Sequence, residues 1–587
     1  MTTWKLDQFY TNEEDWTKDL ELFKTKIPVL ATFKGKLSNF DDFLNYLKLE
    51  EETSKLFYRL YGYTSLASDL NLKEVKLSSM KQQVLLLVNQ LSQVTSWANP
   101  EILSLGKEKV FSFIQKDEFL QTYSFVFEKL FMQEQHILSE DQENILANFG
   151  PTTSIPGTMY QALAIVDAKD EEITLDSGET IVVTPSTYRS LITEAKTAND
   201  RKKIFEAVYK RYETNKTAFA AIYNLVLQQK AATYKSRGYK SSLDSALFGN
   251  NIPESVYTNL VETAYENTSA IKKYIELRKN YLGIEEYRTY DRFLSLAKDN
   301  NKYDYETSLK LFFDSIKDLD EEFVAKQKEA LEGGFVDVYP RDGKRTGGYS
   351  MSLYGFHPHI LLNHDNTLDA VFTLAHEAGH SAHSLFSNES QPMPISRYTI
   401  FVAEIASTFN EHVLLDHLLK EVKTKEQKIA LLQTAIDGIM ATFFRQTLFA
   451  TYELKANELV QAGSPINADV LSNIMIDLYK HYYGLDITEE KGKQYVWAYI
   501  PHLFQTPFYV YQYATSYSAS LKIYDNIKKG DKDAFENYKK MLKSGGSDFP
   551  VNQAKLAGAD LTNKETFMAV INRFESLVNE LEKTLTE

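Results

Sequence analysis

Residues 368–386 read Leu-Asp-Ala-Val-Phe-Thr-Leu-Ala-His-Glu-Ala-Gly-His-Ser-Ala-His-Ser-Leu-Phe, and within them His376-Glu377-Ala378-Gly379-His380 fits the pattern His-Glu-x-x-His. Apolar residues at Val371, Phe372, Leu374, Ala375, Ala378, Ala382 and Leu385 recur at helical spacing, and the first proline after them is Pro392. On a helix, side chains four apart share a face, with about 6 Å between their Cβ atoms. Two imidazoles so placed can close on one Zn²⁺, with Zn–N bonds of about 2.0–2.1 Å. Glu377 lies beside them, placed to take a proton from water rather than to hold the metal. A short motif can arise by accident, and a histidine pair can simply pack in a core. Clustering favours the metal reading, because six of the eleven histidines (His357, His359, His364, His376, His380 and His383) fall within one short stretch.

Zinc in a hydrolytic site takes three protein ligands and leaves a position for water. A third histidine six residues beyond the second is excluded, since Phe386 stands there and His383 occupies the intervening glycine position. The alternative is a carboxylate from the next helix. Arg397–Glu411 reads as helical and mostly apolar, and a carboxylate embedded there is costly unless paired or on a metal. Glu404 is the choice. Glu411, two turns on, and Asp369, two turns before His376, are candidates to hydrogen-bond a ligand imidazole. His383 reads as a packed histidine, because a fourth ligand would fill the water position.

Composition bounds the rest. A chain of 587 residues can bury a large core, and its formal charge of −15 argues against a nucleic-acid surface. It has no cysteine, so any metal is held by His, Asp or Glu. No secretory leader and no membrane-length apolar run is legible, and the expected setting is cytoplasmic.

From about 12 to 150 the pattern is a succession of amphipathic helices, with Asn39 as a cap and a broad apolar face over Met80–Trp97. Ile173–Leu175 and Thr180–Val183, joined through Asp176-Ser177-Gly178, predict a short β-hairpin. Helix resumes after Pro185 and again over 253–330. The expected domains are 1–187, helical with the hairpin at its end, and 188–587, which holds the metal site. Glycine breaks and short apolar runs between Gly333 and Asn363 predict a small sheet just before the zinc helix. A free edge there could pair with an extended peptide. Far downstream, His502 precedes the run Phe508-Tyr509-Val510-Tyr511-Gln512-Tyr513-Ala514-Thr515. Such a run is usually core, yet Tyr509 and Tyr513 share a helix face and with His502 could donate to an oxyanion.

These pieces together resemble the M3 family of metallopeptidases, in its oligoendopeptidase F branch. The matching segments are Lys344-Arg345-x-Gly-Gly-Tyr349-Ser, Pro358-x-Ile-Leu-Leu-Asn363, Asp369 to His383, Phe401-Val402-Ala403-Glu404 with Glu411, and His502 with the tyrosine run. The resemblance spans most of 190–570. It implies a mainly α fold, a two-lobed helical ellipsoid with a deep channel for short peptides and a small β-sheet beside the zinc-binding helix. It also implies one Zn²⁺ per chain on His376, His380 and Glu404, with Glu377 as base. Carbonyl or oxyanion contacts would come from His502 with Tyr509 and Tyr513, Tyr511 being a further candidate. The expected activity is hydrolysis of internal bonds of short oligopeptides by a zinc-activated water. Expected partners are peptides, without nucleic acid or membrane. A carboxypeptidase or dipeptidase acting at peptide ends is the alternative, and a non-catalytic peptide-binding protein the more distant one.

Overall fold

The computed structural model describes residues 2–298 and 301–587, so residues 299 and 300, within the expected helical stretch 253–330, lie outside the described residues. Helices dominate, and the described strands form one hairpin and one three-stranded sheet. No described helix is long and apolar enough to cross a membrane. The chain forms two compact units, each of three segments: Met1–Gln135 with Asn301–Leu418 and Ile523–Ala559, and His136–Asn300 with Leu419–Lys522 and Asp560–Glu587. These units are discontinuous in sequence, whereas the expected division at 187/188 is a single cut.

In the first unit, the helices Glu13–Ala31, Phe40–Leu70 and Val75–Thr95 begin the chain. Asn12 caps the first and Asn39 the second, each through its side-chain oxygen, and acidic residues follow in the first turns. The apolar face expected over Met80–Trp97 is buried fully only at Met80 and Val84, while Leu86 is exposed. Trp4, Phe9, Trp16, Phe23 and Leu60 join Leu361 in one core, which ties the N-terminal segment to the sheet that precedes the site.

That sheet has the order Val336–Asp337, His359–Leu361, Tyr349–Met351. The central strand pairs in parallel with the first (Val336 with Ile360) and antiparallel with the last (Ser350 with Ile360). His359, Ile360 and Leu361 are buried, as a central strand covered on both faces requires. Lys344 pins the loop between the outer strands. Its ammonium donates to the carbonyls of Tyr339 at 2.8 Å and Leu362 at 2.5 Å and pairs with the Asp337 carboxylate at 2.6 Å. Tyr349–Met351 is thereby held as an edge strand, and Ser350 bonds Ser381 of the following helix at 2.8 Å. The small sheet expected just before the helix that carries His376 and His380 is present.

In the second unit, the hairpin pairs Glu171–Thr174 with Thr180–Val183, in the register Glu171 to Val183. The helix Arg445–Gln461 continues from a π-helical turn at Met440–Phe444. It supports the segment carrying His502 and the tyrosines.

Candidate active site

The histidine helix runs Leu368–Ser390, starting where Thr367 accepts the Ala370 N–H. The helix Ile400–Glu421 crosses it at Gly379. A Cβ on Gly379 would stand 2.5 Å from the Ala406 carbonyl oxygen and 2.7 Å from Ser407 Cα. Only a residue without a side chain permits that approach, which offsets the roughly 1 kcal/mol that glycine costs inside a helix. Asn410, fully buried, then donates to the Ala375 carbonyl at 2.9 Å and to Gln327 at 3.1 Å, locking the crossing.

This crossing brings three ligand-type atoms together. His376 Nε2 and His380 Nε2 lie 3.2 Å apart, and Glu404 Oε2 lies 3.3 Å from the first and 3.4 Å from the second. Three donors about 2.0–2.1 Å from a tetrahedral zinc stand about 3.3 Å from one another. The triangle has that edge, so the residues fit the ion. The donor set, two imidazoles and one carboxylate, is also one that zinc hydrolases use. Among the described residues it is the one group of three or more such side chains close enough to hold a metal.

Glu411 sets the state of His376. Its Oε1 accepts from His376 Nδ1 at 2.5 Å, so that the other ring nitrogen, Nε2, faces the triangle and would offer its lone pair there to a metal that displaces its proton. Burial disfavours charge on His376, but Glu404 and Glu411 outweigh it and raise the imidazole well above its ordinary value. Burial likewise pushes Glu404 up, and the two imidazoles more than reverse this, holding it far below the usual carboxylate range. The pocket is thus arranged around positive charge at its centre, which a divalent cation would supply. Ser407 steadies Glu404 by donating to Oε2 at 2.9 Å.

Glu377 projects from the same helix and is only 6% exposed. Its Oε2 has no hydrogen-bond partner among the described residues, and burial raises its pKa. A Cβ on Gly348, next to the edge strand, would lie 3.3 Å from Glu377 Oε1. A buried carboxylate with unfilled acceptor capacity is suited to receive a proton from something the chain does not itself provide.

Asp369, in contrast with Glu411, is exposed in the first turn of its helix and bonds neither imidazole. His383 is buried and stacks on Tyr398, ring centroids 3.7 Å apart and nearly parallel; burial lowers its pKa to about 3. It packs, as expected of it, rather than ligating.

His502, Tyr509 and Tyr513 belong to the second unit, where they form one cluster. The His502 ring lies 5.8 Å from Tyr509 and 6.1 Å from Tyr513, and the tyrosines lie 5.4 Å apart. Burial, aided by the charge of Arg445, lowers the His502 pKa and favours the neutral ring. Tyr511 turns elsewhere. It is buried against Tyr257 at 5.0 Å, so the pair that accompanies His502 is Tyr509 and Tyr513. Sequence reasoning passed over Gly379, Asn410 and Ser407. The legible signal was a glycine inside a strongly helical run, which needs a packing reason.

The family model described as peptidase family M3 matches residues 191–573, and one described as oligopeptidase F matches residues 101–169. The chain is 34% identical to oligopeptidase PepF of Bacillus subtilis, over 99% of this chain and 87% of that protein. It is 35% identical to an oligoendopeptidase F homolog of Borreliella burgdorferi, over 99% and 98%. The crystal structure of oligoendopeptidase-F from Enterococcus faecium superposes with a TM-score of 0.77 at 27% identity, covering 98% of this chain and 99% of that one. The family model and the near-complete relatives agree with the site's donor set: the chain belongs to peptidase family M3 and is a metallopeptidase of its oligoendopeptidase F branch.

Proposed function

We propose that this chain hydrolyses internal bonds of short oligopeptides, with Zn²⁺ held by His376, His380 and Glu404 and with Glu377 as general base. The observation that carries the reading is the near-equilateral triangle of 3.2, 3.3 and 3.4 Å made by the three ligand atoms, with Glu377 buried on the adjoining turn. When bound, the ion supplies Lewis acidity toward the scissile carbonyl and toward water. Glu377 accepts the proton of the attacking water and returns it to the leaving amine. Glu411 fixes the His376 ring so that its free nitrogen stays aimed inward. The edge strand Tyr349–Met351 offers backbone groups along which an extended peptide can pair. His502 with Tyr509 and Tyr513 provides donors for the developing oxyanion, a role supported by their clustering and by the family resemblance.

The test is cleavage of a mid-length quenched fluorescent peptide, with product masses, by wild type and Glu377→Gln at measured zinc content. Internal cuts that fall about 10²–10⁴-fold in the variant, with zinc retained, are expected. Cuts confined to peptide ends would replace the endopeptidase reading with an exopeptidase one. A variant as active as wild type would remove Glu377 from its role.

A further inference from the structure

We infer that Glu453 is a positioning residue, whose buried carboxyl holds the left-handed turn at Phe508 and so sets Tyr509 against His502. This rests on the reading above that His502 and Tyr509 serve the reaction.

Glu453 is only 2% exposed, in the middle of the helix Arg445–Gln461. No cation bonds it among the described residues, and its Oε1 accepts the Phe508 N–H at 2.7 Å. A buried acid without an ion pair is an expensive residue, and its cost is lowered here by the bond it accepts. Phe508 has φ of +59°, and the other described non-glycine residues with positive φ are asparagines, Asn251 and Asn366. Asparagine tolerates that region; a bulky aromatic enters it only when its surroundings enforce it.

The surroundings here are all tied to one helix. The Phe508 ring is buried 6.0 Å from Tyr257, and Tyr511 packs on the same ring at 5.0 Å. Tyr257 in turn donates its hydroxyl to the Ala450 carbonyl at 2.8 Å, one turn before Glu453. Phe508, Val510 and Tyr511 are therefore anchored inward. With the backbone reversed at Phe508, the intervening Tyr509 is delivered to the opposite side, where it lies nearly parallel to His502. Without the acceptor, the buried Phe508 N–H would lose its partner and the turn its restraint. Burial raises the Glu453 pKa to about 8, against the opposing effects of the Phe508 N–H and the charge of Lys230. Near neutrality the group is a neutral acid, so a neutral acceptor of the same shape can replace it.

The experiment uses the 587-residue chain loaded with zinc, with Glu453→Gln, which keeps an acceptor oxygen, and Glu453→Leu, which removes it at similar size. Glu453→Met serves if the leucine variant does not fold. We measure kcat and KM on the quenched peptide and follow the His502 titration by NMR with ¹³C-labelled histidine. The glutamine variant is expected within about threefold of wild type, while the leucine variant loses about ten- to a hundredfold in kcat with KM little changed. In the leucine variant the His502 midpoint rises toward that of a free imidazole. Equal loss in both variants, or an unaltered kcat and His502 titration in the leucine variant, overturns the inference. His502→Ala separates the two readings. If it leaves kcat intact, the catalytic role of His502 fails, and Glu453 is then judged on the NMR titration alone.

Discussion

The ligand triangle and the His502 cluster both assemble polar side chains, but the chain builds them by opposite means. His376, His380 and Glu404 stand on long regular helices, and their convergence depends on how closely those helices cross at Gly379. His502 sits on a five-residue helix, and Tyr509 follows a residue with left-handed backbone. The first site is precise because regular elements are packed tightly; the second because an irregular one is overdetermined by its anchors. Substitutions that disturb packing should therefore damage the first, and those that release backbone restraint the second.

The largest effect that sharpens this contrast is expected at His502. Its replacement by alanine should lower kcat about 10²–10³-fold while metal content stays at the wild-type level, read by metal analysis beside peptide cleavage. Loss of metal in that variant would erase the distinction between the sites. Gly379→Ala acts on the other side. The added methyl forces the helices apart, at a cost of about 1–3 kcal/mol, and should reduce activity about a hundredfold with zinc bound more weakly. An alanine variant with unaltered zinc affinity would show that the crossing does not set the triangle.

Glu411→Gln is a finer probe, since it weakens the His376 Nδ1 bond without moving a helix. Zinc affinity should fall about 10–100-fold, measured by competition with a chelator, while kcat at saturating zinc changes less. The smallest effect concerns Glu453. Its pKa is raised from 4.5 to about 8, so the folded chain holds the proton more tightly than the unfolded one. The associated stability is complete below about pH 4.5 and is lost as pH rises through 8, by at most about 1.4 kcal/mol per pH unit. Between pH 5 and 9, wild type should lose thermal stability relative to Glu453→Gln. A constant difference across that range would show that the carboxyl does not titrate there.

Much of the first site was legible because its determinants are local. The four-residue spacing of His376 and His380 is a property of any helix, and Glu404 stood out as a carboxylate among apolar neighbours. The same logic proposed Glu411 and Asp369 on equal terms. Only Glu411 meets an imidazole, because it lies on the crossing helix, whereas Asp369 is exposed at the end of the helix that carries the histidines. Crossing geometry is a tertiary property, and spacing along one helix does not contain it. The hairpin at 171–183 and the small sheet before the site were readable from β-branched runs and glycine breaks. The tyrosine run was not separable by spacing alone. Helical periodicity cannot foresee that a phenylalanine will reverse the backbone and send Tyr509 and Tyr511 to different environments.

The triangle also has a consequence for chain entropy. Its outer members, His376 and Glu404, are 28 positions apart, on helices joined by a short connection. Closing a flexible loop of that length carries a length-dependent cost of only about 3 kcal/mol, and each doubling would add about 0.6 kcal/mol. An ion gripping these residues clips two neighbouring helices instead of stapling distant parts of the chain. Its removal should loosen that corner, as faster amide exchange over 376–404, while the N-terminal core around Trp16 and Phe23 remains folded.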